Sequence, residues 1–184
     1  MENHVMIITQ RLILRKFEEE DWKDLYEYLS DETVVKYEPY PVFSREQAVE
    51  EAKRRVKDER YYAVCLKDEL KVIGNLFIEK KGYDCFELGY VFSKQYQGNG
   101  YAIEGAKALL NYLFLQENAR RVIAECNPLN ERSWNLLENL NMRREGHFKK
   151  NIYFKMSEQG EPLWSDTYLY AILKEEWEAL RQEP

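Results

Sequence analysis

The stretch QYQGNGYA, residues 95–102, sets Gly98 and Gly100 two positions apart, directly in front of a long apolar-periodic segment. Glycine has no Cβ, so main chain at these positions can approach a ligand closely and adopt positive φ. A helix that opens just after them aims unpaired N–H groups and the positive end of its dipole at one point. Such a point binds an anion, although G-x-G alone is equally compatible with a tight turn. Two better-known phosphate motifs fail on spacing: a dinucleotide fingerprint needs glycine at Ile103, and a P-loop starting at Gly100 has Ala106 where lysine must follow.

The other reactive side chains narrow the chemistry. Cys65, Cys85 and Cys126 are odd in number, widely spaced and without a C-x-x-C pair, which fits a reduced, cytoplasmic protein. His4 and His147 are the only histidines, and no carboxylate cluster has calcium-loop spacing, so no metal is expected.

These residues need elements to position them. Residues 5–17 alternate as a strand, and EEEDWKDLYEYL places Trp22, Leu25, Tyr26 and Leu29 at helical intervals. Pro39 and Pro41 interrupt regular structure, after which Ser44 reads as the N-cap of a second helix carrying Ala48, Val49, Ala52 and Val56. Segments 61–66, 71–78 and 86–92 are short, β-branched and aromatic, which predicts a three-strand meander. Ala102, Ile103, Ala106, Leu109, Leu110, Leu113 and Phe114 share one face of a helix over about 101–117. A strand at 121–126, a turn and short helix with Trp134, Leu137 and Leu140, strands near 143–154 and 165–173, and a terminal helix KEEWEALR complete the order. That order, seven strands interleaved with helices and without an internal repeat, predicts a mixed α/β sheet.

With 184 residues, 45% of them hydrophobic and 14% aromatic, the chain is expected to form one domain spanning 1–184. Its net charge of −6, with no continuous basic stripe, disfavours nucleic-acid binding. The first residues carry an acid rather than a basic leader, and no apolar run reaches membrane-spanning length, so neither signal peptide nor membrane anchor is expected.

The segment from Gln95 to Ala102 resembles the Q/R-x-x-G-x-G/A motif of the GNAT N-acetyltransferase superfamily. Thr9 to Arg15 (T-x-R-L-x-L-R), Val72-Ile73-Gly74, Glu87-Leu88-Gly89-Tyr90, Asn130-x-x-Ser133, Glu145-Gly146 and Trp164-x-Asp166 are similar in order and spacing to its RimJ/RimL-like branch of ribosomal-protein N-terminal acetyltransferases. The resemblance implies a GNAT fold, an α/β (α+β) arrangement with a mostly antiparallel sheet of about seven strands, splayed between the fourth and fifth. It implies acetyl-CoA as co-substrate, with the backbone of Gln97, Gly98, Asn99, Gly100, Tyr101 and Ala102 cradling the pyrophosphate. It further implies that Tyr90, Val91 and Phe92 pair with the pantetheine arm, and that Asn130 and Ser133 approach the thioester end.

An amine attacks the thioester only when neutral, so a base near the slot is needed. Glu87, at the start of the strand before the glycines, is the first candidate and Glu125, near the end of the neighbouring strand, the second, since which side of a strand each faces is not fixed by sequence. A main-chain N–H near Val91 or Phe92 would hold the developing oxyanion. Many superfamily members protonate the leaving thiolate with a tyrosine seven residues beyond the asparagine; here that residue is Leu137, which leaves the Ser133 hydroxyl as substitute. Cys126 and His147 lie on separate elements, which argues against an acyl-cysteine route and for direct transfer in a ternary complex. Acceptor-contacting segments would be the two early helices, the loop from Tyr37 to Pro41 and the stretch from Asn151 to Trp164. The resemblance to that branch implies a protein N-terminal amine as acceptor; the alternatives are a small molecule such as an antibiotic, amino acid or polyamine, or an acyl-CoA-binding module without turnover. The chain is expected to act as a monomer or homodimer.

Overall fold

A computed structural model describes residues 6–182. The expectations placed on His4 and Val5 lie outside the described residues. In chain order the elements are β1 (Ile7–Ile8), β2 (Leu12–Arg15), α1 (Trp22–Leu29), α2 (Glu32–Val35), α3 (Arg45–Val56), β3 (Tyr61–Leu66), β4 (Val72–Lys80), β5 (Cys85–Phe92), α4 (Tyr101–Leu115), β6 (Arg121–Cys126), α5 (Glu131–Asn139), β7 (Arg143–Met156), β8 (Pro162–Leu173) and α6 (Lys174–Leu180). The strand order is β1-β2-β3-β4-β5-β6-β8-β7. β5 and β6 run parallel over three pairs, Cys85↔Arg121, Phe86↔Val122 and Glu87↔Ile123.

The sheet therefore has eight strands among the described residues where seven were expected. The strand read over 5–17 is two short antiparallel strands, because Thr9 closes a turn on Leu12: its N–H donates to Leu12 O at 2.9 Å and its Oγ1 accepts from Leu12 N–H at 2.9 Å. The one-turn helix α2 was also not foreseen; Asp31 caps it by accepting from Thr33 N–H at 2.8 Å. The cap expected at Ser44 is present, as a reciprocal box with Gln47.

The described chain divides into two compact units, one built from 6–36, 40–78 and 89–109, the other from 37–39, 79–88 and 110–182. In the first, Phe17, Leu25, Leu29, Ala52, Ala63, Cys65, Val72 and Val91 bury one face of the strands under α1 and α3. A Cβ on Gly105 of α4 would touch Leu12, Val64 and Leu76, so α4 covers the opposite face. Arg55 of α3 is only 2% exposed, which demands full pairing. It donates to Glu51 at 2.7 Å and to Asn75 at 2.8 Å, its guanidinium lies 4.6 Å from the centre of the Tyr61 ring, and Tyr28 donates to the same Asn75 oxygen at 3.0 Å.

In the second unit β6 pairs with β8 from Arg121↔Leu173 to Cys126↔Tyr168, and β8 pairs with the edge strand β7. Trp177 of α6 packs on Phe114 and donates to Asn111 at 2.9 Å. β7 is exposed along nearly its whole length, and its register is broken between Phe148 and Ile152. Lys150 in this irregularity has φ 46°, and Asp166 of β8 fastens it, accepting from Lys150 N–H at 2.9 Å, Lys149 Nζ at 3.0 Å and His147 Nε2 at 2.8 Å. Those three bonds hold the Asp166 carboxyl well below the usual carboxylate range.

Candidate active site

After β5 the chain makes one tight turn over Lys94–Tyr96 and then the glycine loop. Gly98 and Gly100 adopt φ 80° and 79°, the left-handed region that side chains disfavour. A Cβ at Gly98 would meet open space, whereas one at Gly100 would lie 3.4 Å from Arg11 Nη2. The first bond of the helical ladder runs from Glu104 N–H to Gly100 O at 3.0 Å. The N–H groups of Gly98, Asn99, Gly100, Tyr101, Ala102 and Ile103 donate to no acceptor among the described residues. Gln97 differs: its N–H turns back to Lys94 O at 3.4 Å, and its side chain donates to Phe92 O at 2.9 Å. The run of available donors thus starts at Gly98 and extends one residue past Ala102. Gathered at the start of a 15-residue helix, these donors suit a phosphate-sized anion.

The loop is backed by residues whose role the sequence did not disclose. Glu104, in the first turn of α4, accepts from Thr9 Oγ1 at 2.6 Å, from Arg11 N–H at 2.9 Å and from Arg11 Nε at 2.7 Å. Arg11 Nη1 reaches Asn99 O at 3.0 Å, and its guanidinium lies 4.5 Å from the centre of the Tyr101 ring. Lost hydration pushes Glu104 up, yet the bonds from Thr9 and Arg11 outweigh it and the carboxyl is held low. The T-x-R spacing placed Thr9 and Arg11 in a motif but gave no hint that they meet Glu104, 95 and 93 positions away.

At the end of β5, Val91 and Phe92 are buried and Tyr90 is half-buried. The main chain here packs tightly on β4: a Cβ on Gly74 would lie 2.6 Å from Val91 O and 2.7 Å from the Phe92 ring. Glycine is the residue that permits this approach.

The second unit holds the candidate acid–base groups. Glu87 forms an ion pair with Lys81 at 2.8 Å, and Lys81 also pairs with Glu79. The β5–β6 register sets Glu87 beside Ile123, so Glu87 and Glu125 share a sheet face. Glu125 is raised above the ordinary glutamate value, first by lost hydration and next by the Glu87 charge, with Lys81 opposing. A raised carboxyl is the better proton acceptor near neutral pH.

Asn130 caps α5, its Oδ1 accepting from Ser133 N–H at 3.3 Å. The Ser133 hydroxyl is hydrogen-bonded with the Cys126 thiol, and burial pushes that thiol up to about 11. Cys126 is therefore protonated at neutral pH, which removes the thiolate an acyl-cysteine route requires. His147 does not reach it, because Tyr168 of β8 pairs with Cys126 on one side and with His147 on the other. Leu137, at the position of the usual tyrosine, is fully buried. Tyr37 donates to Leu129 O at 3.0 Å, fastening the loop before α3 to the turn that carries Asn130. A shallow cleft lined by Glu19, Glu20, Trp22, Val49 and Lys53 contains none of these residues.

Comparisons with known proteins identify the family. An uncharacterized N-acetyltransferase of Bacillus subtilis, YnaD, is 43% identical over 173 residues, covering 93% of this chain and 98% of the relative. The crystal structure of a GNAT-family acetyltransferase from Bacillus anthracis superposes with a TM-score of 0.85 at 38% identity, covering 94% of this chain and all of the other. The [ribosomal protein uS5]-alanine N-acetyltransferase of Escherichia coli is 26% identical over 121 residues, 64% of this chain and 59% of that protein. The family model described as the acetyltransferase (GNAT) domain matches residues 11–143, from the arginine behind the glycine loop to the start of β7, and the chain belongs to the GNAT family of acetyltransferases.

Proposed function

We infer that the protein transfers the acetyl group of acetyl-CoA to a primary amine by direct attack, and that the amine is a protein N-terminus. The six consecutive unpaired N–H groups from Gly98 to Ile103 carry the reading, since they match the diphosphate of CoA in charge and size. Tyr90, Val91 and Phe92 would present main-chain groups to the pantetheine amides.

In the transfer, Glu125 takes a proton from the ammonium acceptor, directly or through water, and Glu87 keeps Glu125 basic by like-charge repulsion. The neutral nitrogen bonds to the thioester carbon, and the oxyanion that forms is held by the N–H of Val91 or Phe92. Collapse breaks the C–S bond, the departing thiolate takes its proton from the Ser133 hydroxyl, and Ser133 regains one through water from the proton the nitrogen sheds on becoming an amide. A protein acceptor is favoured by the likeness to an enzyme named for the alanine of a ribosomal protein. The Glu87–Glu125 pair favours a cationic acceptor of either size, which keeps a free polyamine as the second reading.

The test is CoA release from acetyl-CoA with a panel of N-terminal peptides and free amines. Peptides with a free α-amine are expected to react and their N-acetylated forms to be inert. Reaction of free small amines alone overturns the protein-acceptor reading, and CoA binding without any turnover overturns the enzymatic one.

A further inference from the structure

The loop's donors face outward only if its peptide planes are fixed, and one of them is fixed from behind. In a planar trans peptide the C=O and N–H point in opposite directions. Arg11 Nη1 holds Asn99 O at 3.0 Å, which turns the Gly100 N–H to the other side of the loop. Arg11 is itself immobilised by Glu104 at 2.7 Å and by the Tyr101 ring, and Glu104 is anchored in turn by Thr9 at 2.6 Å. Without the guanidinium, Glu104 would also present a bare negative charge in the same helical turn whose N–H groups meet the anion, opposing the helix dipole. One side chain thus performs two tasks: it aims a donor and it screens a carboxylate.

We propose that Arg11 is the positioning residue of the glycine loop, presetting the Asn99–Gly100 peptide and neutralising Glu104 so that the loop is ready for a diphosphate before the ligand arrives. This rests on the acetyl-CoA reading above. Two features give it specificity. A Cβ at Gly98, φ 80°, would meet open space, whereas one at Gly100, φ 79°, would lie 3.4 Å from Arg11 Nη2, so Arg11 stands behind the Gly100 side of the loop. Arg11 reaches the loop from the turn between β1 and β2, and its bonds go to Asn99 and Glu104 at the diphosphate end.

The experiment is calorimetric titration of wild type, Arg11→Gln and Arg11→Lys with two probes, CoA and S-acetylpantetheine, which lacks the diphosphate. Arg11→Gln is expected to weaken CoA about ten- to hundredfold, the worth of a charge-assisted hydrogen bond, and to leave S-acetylpantetheine unchanged. Arg11→Lys is expected to recover part of the loss, since an ammonium can reach Asn99 O but cannot grip Glu104 in the same plane. Equal CoA affinity in wild type and Arg11→Gln overturns the proposal. So does an equal loss with both probes, which would mark Arg11 as merely structural. Failure of wild type to bind CoA at all refutes the acetyl-CoA reading instead. If Arg11→Gln does not fold, Arg11→Lys decides: a several-fold loss with CoA alone supports the proposal, and no difference between the probes sinks it.

Discussion

Glu125 and Glu87 are two like side chains in unlike surroundings. Glu87 is paired with Lys81, while Glu125 is left with lost hydration and a neighbouring negative charge, both of which push it up. If Glu125 is the base, activity must rise as it deprotonates, at a pH above the ordinary carboxylate range. Glu87→Gln removes a charge that raises Glu125, so the acid limb of the kcat/KM profile for the acceptor should move to lower pH. Lys81→Ala removes a charge that lowers it, so the limb should move to higher pH. Glu125→Gln should abolish the limb and cost about a hundredfold or more in kcat. The acceptor's own α-amine limb, near pH 8, is common to all variants and serves as internal reference. Profiles that coincide for wild type and all three variants would remove Glu125 from the base role. Sequence alone named both carboxylates but not their different surroundings, since Lys81 lies six residues from Glu87 across a turn and only the strand register brings it back. Arg11 was hidden more deeply, because its partners Asn99 and Glu104 lie some ninety residues away.

Among the elements, α3 depends on a buried cation. Arg55 fills space that an aliphatic residue would otherwise occupy, and it satisfies Glu51, Asn75 and Tyr28 together. Arg55→Ala is expected to cost about 3 kcal/mol or more, because it leaves buried acceptors without their donor. Equilibrium denaturation measures this, and a loss within error of zero would show that water replaces the guanidinium. The pH sign follows from Glu51: burial pushes its carboxyl up, yet bonds from Arg54 and Arg55 hold it net low. Its contribution is complete above the unfolded-state value and is lost as pH falls through the lower folded-state value. The long periodic helices, the Ser44 cap and the meander were legible in the sequence, because propensity, period and packing agree there. The split between β1 and β2 was not, because the alternation continues through Thr9 and only its side chain, bonded to Leu12, ends the first strand. Nor was α2, whose four residues leave no period to read.

At the scale of the molecule, the order of strands places β7 at an edge, where fourteen mostly exposed residues include Phe148, Tyr153, Phe154 and Met156. A long, flat, aromatic edge invites another sheet to add to it. Here the edge is interrupted at Phe148–Ile152, and Asp166 maintains the interruption by holding Lys150 at positive φ. The Trp164-x-Asp166 pattern was visible as a motif, yet its purpose depends on pairing between two strands and so could not be read along one. Asp166→Ala should release the irregularity at Phe148–Ile152 and flatten the middle of β7, leaving the register shifts at Arg144/Gly146 and Tyr153/Met156 in place. Static light scattering on concentrated, gently warmed samples should then register growing particles in the variant while wild type stays dispersed; identical scattering from both would show that the lysines of β7 suffice as guards. A single carboxylate, remote in sequence from every group assigned to acetyl transfer, would in that case determine how crowded a solution this enzyme can tolerate.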